Sequence, residues 1–238
     1  MDLLSEIVDR ARPLTEAVPL EGTPLAVTLL IAATAIVIEP LWRLLRVAIT
    51  LVHELGHAFV GVLAGRRFTG FVVRADMSGH AVTSGKPRGL GRILTTWAGY
   101  PMPALVGAAM VLLAQSGWGA TLLTALLALI LAALLRIRSA LTLLVMLAAL
   151  AGVGSLWWWR DDILQAHLLV AVGIILIVGA WRHVGAVMRG GRRDAGSDPA
   201  VLAQLSWLPR WAWLLSFVLV LAVASAAAAR TLYAGLTT

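Results

Sequence analysis

The sequence predicts an all-α polytopic membrane protein with about seven transmembrane helices and a small β-hairpin after the second helix. Hydrophobic residues make up 60% of the chain and charged residues 13%, which is outside the usual range of soluble domains. The mean hydropathy is +0.90. The apolar residues gather into seven runs, and a segment of alternating polarity separates the second run from the third.

Each apolar run is bounded by Gly, Pro, Trp or Arg and approaches the length needed to cross a bilayer. The runs cover residues 25–41, 47–64, 93–115, 118–135, 139–158, 164–181 and 211–229.

The segment before the first run has a different character. Hydrophobic residues recur at helical spacing over Leu3–Ala11 among charged residues, and Pro13 should end this helix. A helix lying on the membrane surface is therefore expected. We divide the chain into an N-terminal amphipathic segment, 1–24, and one membrane-embedded domain, 25–238, with its hairpin loop at about 66–90.

The net charge of +7 does not indicate nucleic acid as a partner. The arginines stand singly or in pairs at the ends of apolar runs, where membrane topology and lipid headgroups explain them. They concentrate in alternate loops, at 66–92, 136–138 and 182–210. The positive-inside rule places these loops in the cytoplasm, with the N terminus inside and the C terminus outside. The chain has no cysteine, which excludes disulfides and thiolate ligands.

The second run carries His53-Glu54-Leu55-Gly56-His57. Residues four apart lie on one face of a helix, so His53 and His57 can offer nitrogens to one Zn²⁺. Glu54 is one residue further around the helix, where it can act as general base toward water at the metal. A pair of interhelical hydrogen-bonding histidines is the alternative, but it leaves the carboxylate in an apolar helix without a function.

Zinc needs a third protein ligand. The acidic and imidazole candidates are Glu39, Asp76, His80, Asp161, Asp162, His167, His183, Asp194 and Asp198. Asp198 is preferred because it lies on the predicted cytoplasmic side, beside a helix that should begin at Pro199. Asp76, nineteen residues after His57, is the runner-up. Asp198 as a simple helix cap is the alternative to a ligand role.

The longest loop and the third run complete the prediction. Alternating residues around Phe68–Arg74 and His80–Thr83 predict a β-hairpin, although an ordinary turn is the alternative. An extended substrate could pair with such a hairpin by strand addition. Two prolines and two glycines in Trp97–Gly107 predict a kink, and Tyr100 there could hydrogen-bond near the metal.

With these pieces in place, the chain resembles the site-2 protease class of intramembrane zinc metallopeptidases, and most closely the peptidase M50B-like group of compact bacterial members. The resemblance rests on His53–His57, the β-rich Phe68–Thr83 loop, the Ala98–Pro101 turn, Ser197-Asp198 and Leu202-Ala203.

The motifs together span most of residues 47–215. The resemblance implies one Zn²⁺ per chain held by His53, His57 and Asp198, with Glu54 as the catalytic base. It also implies cleavage of membrane protein substrates within the bilayer of a bacterial cytoplasmic membrane. The family usually has an Asp-Gly pair preceded by Asn-x-x-Pro, whereas here a proline follows the aspartate and the chain contains no asparagine.

A second hypothesis is a non-catalytic membrane scaffold or a transporter that retains a metal-site-like motif. Glu54 distinguishes the two, because a metal-binding scaffold needs the histidines but only a hydrolase needs the carboxylate between them. A transporter should also show inverted repeats with paired broken helices, and the sequence shows no internal repeat of this kind.

Overall fold

The computed structural model describes residues 3–16, 19–74, 78–190 and 195–237. Within these ranges the chain forms helices and one two-stranded sheet. The elements are α1 Leu3–Ala11, α2 Gly22–Val37, α3 Glu39–Leu63, β1 Arg67–Val73, β2 Gly79–Ser84, α4 Leu90–Trp97, α5 Met102–Gln115, α6 Gly119–Leu134, α7 Ala140–Trp158, α8 Asp162–Gly190, α9 Asp198–Leu205 and α10 Arg210–Thr237.

The helical fold with a small hairpin is as predicted, but seven spans are not confirmed. Four helices, α3, α7, α8 and α10, are long and apolar enough to cross a membrane. A fifth span is possible if α4 and α5, which meet at a 64° bend, are one broken helix. Pro101 and Pro103 lie at this bend and explain it, because proline interrupts helical hydrogen bonding. Helices α2 and α6 have 16 residues each, or about 24 Å, which is short of a hydrocarbon core of about 30 Å.

Helices α5 and α8 pack together at the centre of the bundle. A Cβ atom at Gly107 would lie 2.4 Å from the carbonyl oxygen of Gly173, and one at Gly173 would lie 2.6 Å from that of Gly107. The two backbones are therefore in direct contact, which only glycine permits. Val111 of α5, Val170 of α8 and Phe217 of α10 are fully buried around this crossing.

Helix α6 connects the two ends of the bundle. At its start, the Thr121 hydroxyl donates a hydrogen bond to the Ala11 carbonyl at the end of α1 (2.7 Å). After its last turn, Phe71 of β1 forms an isolated parallel bridge with Ile137. Helix α1 and the hairpin therefore lie at opposite ends of the bundle. This arrangement gives no support to the prediction that the N terminus shares the cytoplasmic side with the hairpin.

Two contacts describe how α3 passes α8. The Arg182 guanidinium lies 4.0 Å from the ring centroid of Trp42, and the His183 ring lies 6.1 Å from the His53 ring. Trp42 and His53 are eleven residues apart in α3, which is about 16 Å of helix. They nevertheless contact adjacent residues of α8, Arg182 and His183. Helix α3 therefore crosses α8 at an angle instead of running alongside it, which counting charges in the loops could not reveal.

The predicted hairpin is present. Strands β1 and β2 pair antiparallel, with an irregularity between Phe68 and Gly70. The loop after α6 anchors β1, because the Phe71 amide donates to the Arg136 carbonyl (3.2 Å) and the Arg138 amide donates to the Phe71 carbonyl (3.3 Å). The Phe71 side chain is fully buried in a small second core beneath the hairpin.

Candidate metal centre

Three of the residues singled out in the sequence meet in the structure. The Nε2 atoms of His53 and His57, one turn apart in α3, are 3.2 Å from each other. Asp198 is the first residue of α9, and its Oδ2 atom lies 3.4 Å from His53 Nε2 and 3.2 Å from His57 Nε2. Among the described residues, this His-His-Asp group could hold a metal ion.

The separations of the three donor atoms fit a tetrahedral ion. Ligand atoms at bonds of 2.0–2.1 Å around a tetrahedral centre are about 3.3 to 3.4 Å apart, close to the observed distances. Asp198 Oδ2 is buried at ion-pair distance from both rings, yet no described residue donates it a hydrogen bond of ordinary geometry. A buried carboxylate oxygen without a hydrogen bond is costly unless it binds a cation. The site therefore fits a metal ion.

The local environment keeps the donors in a form suited to coordination. Burial alone would raise the pKa of Asp198, but the neighbouring His57 and His53 rings together hold it below its ordinary value, so the carboxyl stays ionised. His57 Nδ1 lies 2.7 Å from the Thr95 carbonyl oxygen of α4. Since a carbonyl can only accept, Nδ1 carries a proton, and Nε2 is the nitrogen that faces the centre and is available for coordination.

Backbone from two other elements approaches the site so closely that side chains are excluded. A Cβ atom at Gly99, in the break between α4 and α5, would lie 2.4 Å from His57 Nε2 and 2.6 Å from His53 Nε2. A Cβ atom at Gly79, the first residue of β2, would lie 2.5 Å from Glu54 Oε1. Sequence reasoning missed both roles. The Ala98–Pro101 turn was the available signal for Gly99, but spacing alone did not place it against the histidines.

Glu54 is buried, with 5% of its surface exposed, and it lines two cavities. One, of about 610 Å³, lies among β2, α4 and the start of α9. The other, of about 360 Å³, opens between α3 and α8. Both cavities also touch His53 and Tyr100, whose rings are 4.9 Å apart. The carboxylate and the metal donors therefore lie where the two cavities share lining residues.

Most other candidate ligands lie outside this group. Four make contacts of their own: Glu39 with Arg43 (2.9 Å), Asp161 with the Leu164 amide (3.0 Å), Asp162 with Arg160 (3.0 Å) and His167 with Thr28 (2.5 Å). His80 lines the larger cavity and His183 the smaller one. Asp76, the runner-up, and Asp194 lie outside the described residues.

Fold and site together define a helical membrane protein with a candidate His-His-Asp metal centre, built from one helix and a distant aspartate. The chain belongs to the peptidase M50B-like family, whose family model matches residues 26–228. This match confirms the resemblance seen in the sequence and supports a membrane metallopeptidase. Searches among curated proteins and among solved structures each found no match.

The close approach of Gly99 predicts the effect of Gly99→Ala. The added methyl would press on both Nε2 atoms, so the Zn²⁺ concentration that loads half of the protein should rise by about 10-fold or more, as for other changes next to metal ligands. Gly196→Ala is the matched control, because a Cβ atom there meets nothing within 4 Å. Elemental analysis of detergent-purified protein, with helix content from circular dichroism, measures the effect. Equal metal in both variants would contradict the assigned close approach.

Proposed function

We propose that this protein is a zinc-dependent endopeptidase of the bacterial cytoplasmic membrane that hydrolyses peptide bonds of membrane-embedded substrate helices. The triangle formed by His53 Nε2, His57 Nε2 and Asp198 Oδ2 beside the buried Glu54 carries this proposal. Membership of a peptidase family supports it independently.

His53, His57 and Asp198 would hold one Zn²⁺ per chain, since two imidazoles and a carboxylate are a usual zinc donor set. When bound there, zinc supplies a water of lowered pKa and polarises a carbonyl group. The side chains themselves are oriented by the Thr95 carbonyl on His57 and by the packing of Gly99 against both rings.

Glu54 would act as the general base and then as the general acid. Its carboxylate takes a proton from the attacking water while the oxygen of that water bonds to the scissile carbonyl carbon. The carbon–nitrogen bond then breaks, and the same proton passes from Glu54 to the leaving amine. Such proton transfer contributes about 10²- to 10⁴-fold to the rate. The close approach of Gly79 to the buried Glu54 side chain holds the carboxylate in place.

Strand β2 would bind the substrate in extended form. Residues 79–83 line the larger cavity together with Glu54, His57 and Asp198. Within the described residues, β1 is the one strand in a sheet with β2, so the second edge of β2 has no strand partner there. A strand edge offers amides and carbonyls to an extended peptide. An unwound segment of a substrate helix could pair with this edge and expose its peptide bond beside Glu54.

The metal ligands are tested by zinc content. Wild-type protein supplied with Zn²⁺ should carry about one ion per chain, as a three-ligand site would, and His53→Ala and Asp198→Ala should each lose it because two ligands hold zinc poorly. His183→Ala is the control, since this ring lies near His53 but outside the triangle. Zinc retained by Asp198→Ala would remove this residue from the ligand set and direct attention to Asp76.

The catalytic role of Glu54 is tested with Glu54→Gln. Removing the base should lower the cleavage rate of a membrane-embedded substrate in proteoliposomes by about 10²- to 10⁴-fold, with zinc content unchanged. Glu39→Gln makes the same change on the same helix at a residue paired with Arg43 and should leave the rate unaltered. A Glu54→Gln protein that cleaves normally would contradict the role, and a wild type that binds zinc but cleaves no substrate would favour a non-catalytic scaffold or a transporter.

Strand pairing is tested on the substrate side. Methylating backbone nitrogens within a few residues of the scissile bond removes hydrogen bonds to a strand without altering the enzyme. The KM of the methylated substrate should rise by about 5-fold for each hydrogen bond removed, because each lost hydrogen bond contributes about 1 kcal/mol. Methylation far from the scissile bond is the control. Equal KM values for the two methylated substrates would exclude pairing with β2.

A further inference from the structure

A separate cleft of about 700 Å³ lies between α3, the start of β1 and the end of α6. Its walls are mainly apolar and include Phe59, Val62, Leu129 and Ala132. Phe59 and Val62 are about half exposed in the chain. At the end of this cleft stand basic side chains, which distinguishes it from the purely apolar groove between α5 and α10.

The cleft is not part of the candidate peptidase site. Each residue turns an α-helix by about 100°. Phe59 is two residues after His57, so a rotation of about 200° places it on nearly the opposite face of the helix. Val62 likewise lies about 140° away from it. A molecule in the cleft would therefore contact the face of α3 that points away from the metal donors, and Glu54 could not reach it. A molecule bound in the cleft is therefore not a substrate positioned for hydrolysis at the candidate metal centre.

Two arginines define the basic end of the cleft. Arg67 is the first residue of β1, and Arg136 directly follows α6. The Phe71 amide, further along β1, donates to the Arg136 carbonyl (3.2 Å) and joins the strand to the segment after α6. Both side chains are exposed, and no carboxylate among the described residues forms an ion pair with either one. Arg66 also lines the cleft but donates to the Lys86 carbonyl (2.7 Å), which occupies its guanidinium in the hairpin.

We propose that this cleft binds an anionic phospholipid, with its phosphate between Arg67 and Arg136 and an acyl chain along the apolar walls. Guanidinium groups bind phosphate oxygens in a bidentate manner, and basic pockets between membrane helices suit anionic headgroups. The volume lies within the usual range of ligand sites. A transmembrane helix about 10 Å wide would fill it within about two turns, whereas an acyl chain is slim enough to follow it. The site is independent of the proposed peptidase activity.

The test uses phosphatidylglycerol and phosphatidylcholine added to delipidated, detergent-solubilised protein, with bound lipid counted by native mass spectrometry. Wild type should retain phosphatidylglycerol in preference to phosphatidylcholine. The double variant Arg67→Gln, Arg136→Gln should bind phosphatidylglycerol about 25-fold more weakly, since each arginine at an anionic membrane surface contributes a factor of about five. The double variant Arg189→Gln, Arg230→Gln removes the same charge from exposed positions outside the cleft and should bind like wild type.

A second variant tests the acyl-chain part of the cleft. Ala132→Trp fills the space between the walls without changing charge, and it should also weaken phosphatidylglycerol binding. An equal loss of phosphatidylglycerol binding in the two arginine double variants would show that only overall charge matters, which would overturn the proposal. Equal binding of the two lipids by wild type would overturn it as well. Normal binding by Ala132→Trp would show that no chain enters the cleft, which again overturns it. Circular dichroism of every variant controls for folding.

Discussion

The burial of one carboxylate against two imidazoles is the interaction on which the rest of the structure depends. Asp198 Oδ2 lies within 3.4 Å of both His53 Nε2 and His57 Nε2, in a bundle whose other interior groups are mostly apolar. Such a charge is stable in the interior only with close and well-placed counterparts. Helix α9 must therefore be held accurately, although it spans only Asp198–Leu205.

Helix α9 is held mainly by α10 and α4. Leu202 is fully buried in the main core, and the Trp213 indole of α10 donates to the Ser206 hydroxyl at the end of α9 (3.1 Å). The Trp97 indole of α4 donates to Ser216 of α10 (3.0 Å). Hydrogen bonds from half-buried indole rings fix the orientation of helices that would otherwise be held by apolar contacts alone. The α4–α5 break then brings Gly99 against the histidines, so one small set of contacts positions ligands and backbone together.

Helix α3 lines a different cavity with each face. One face carries His53, Glu54 and His57 toward the candidate centre, and the opposite face, with Phe59 and Val62, forms a wall of the cleft beside Arg67. The hairpin touches both sides, because β2 lines the larger cavity and β1 begins at the cleft. A lipid in the cleft would thus contact the same hairpin that places β2 next to Glu54.

The sequence by itself determined the local features. The spacing of His53 and His57 places both on one helical face because the α-helix repeats every 3.6 residues, and alternation predicted the hairpin because strand side chains alternate between faces. The sequence also favoured Asp198 as the third metal ligand but left Asp76 as an alternative. Only the tertiary structure decided that Asp198 meets the histidines, that Gly99 lies against them, and that α1 lies at the end opposite the hairpin. Those outcomes depend on how helices distant in sequence cross and pack, and the periodicity of a single segment carries no information about a crossing angle.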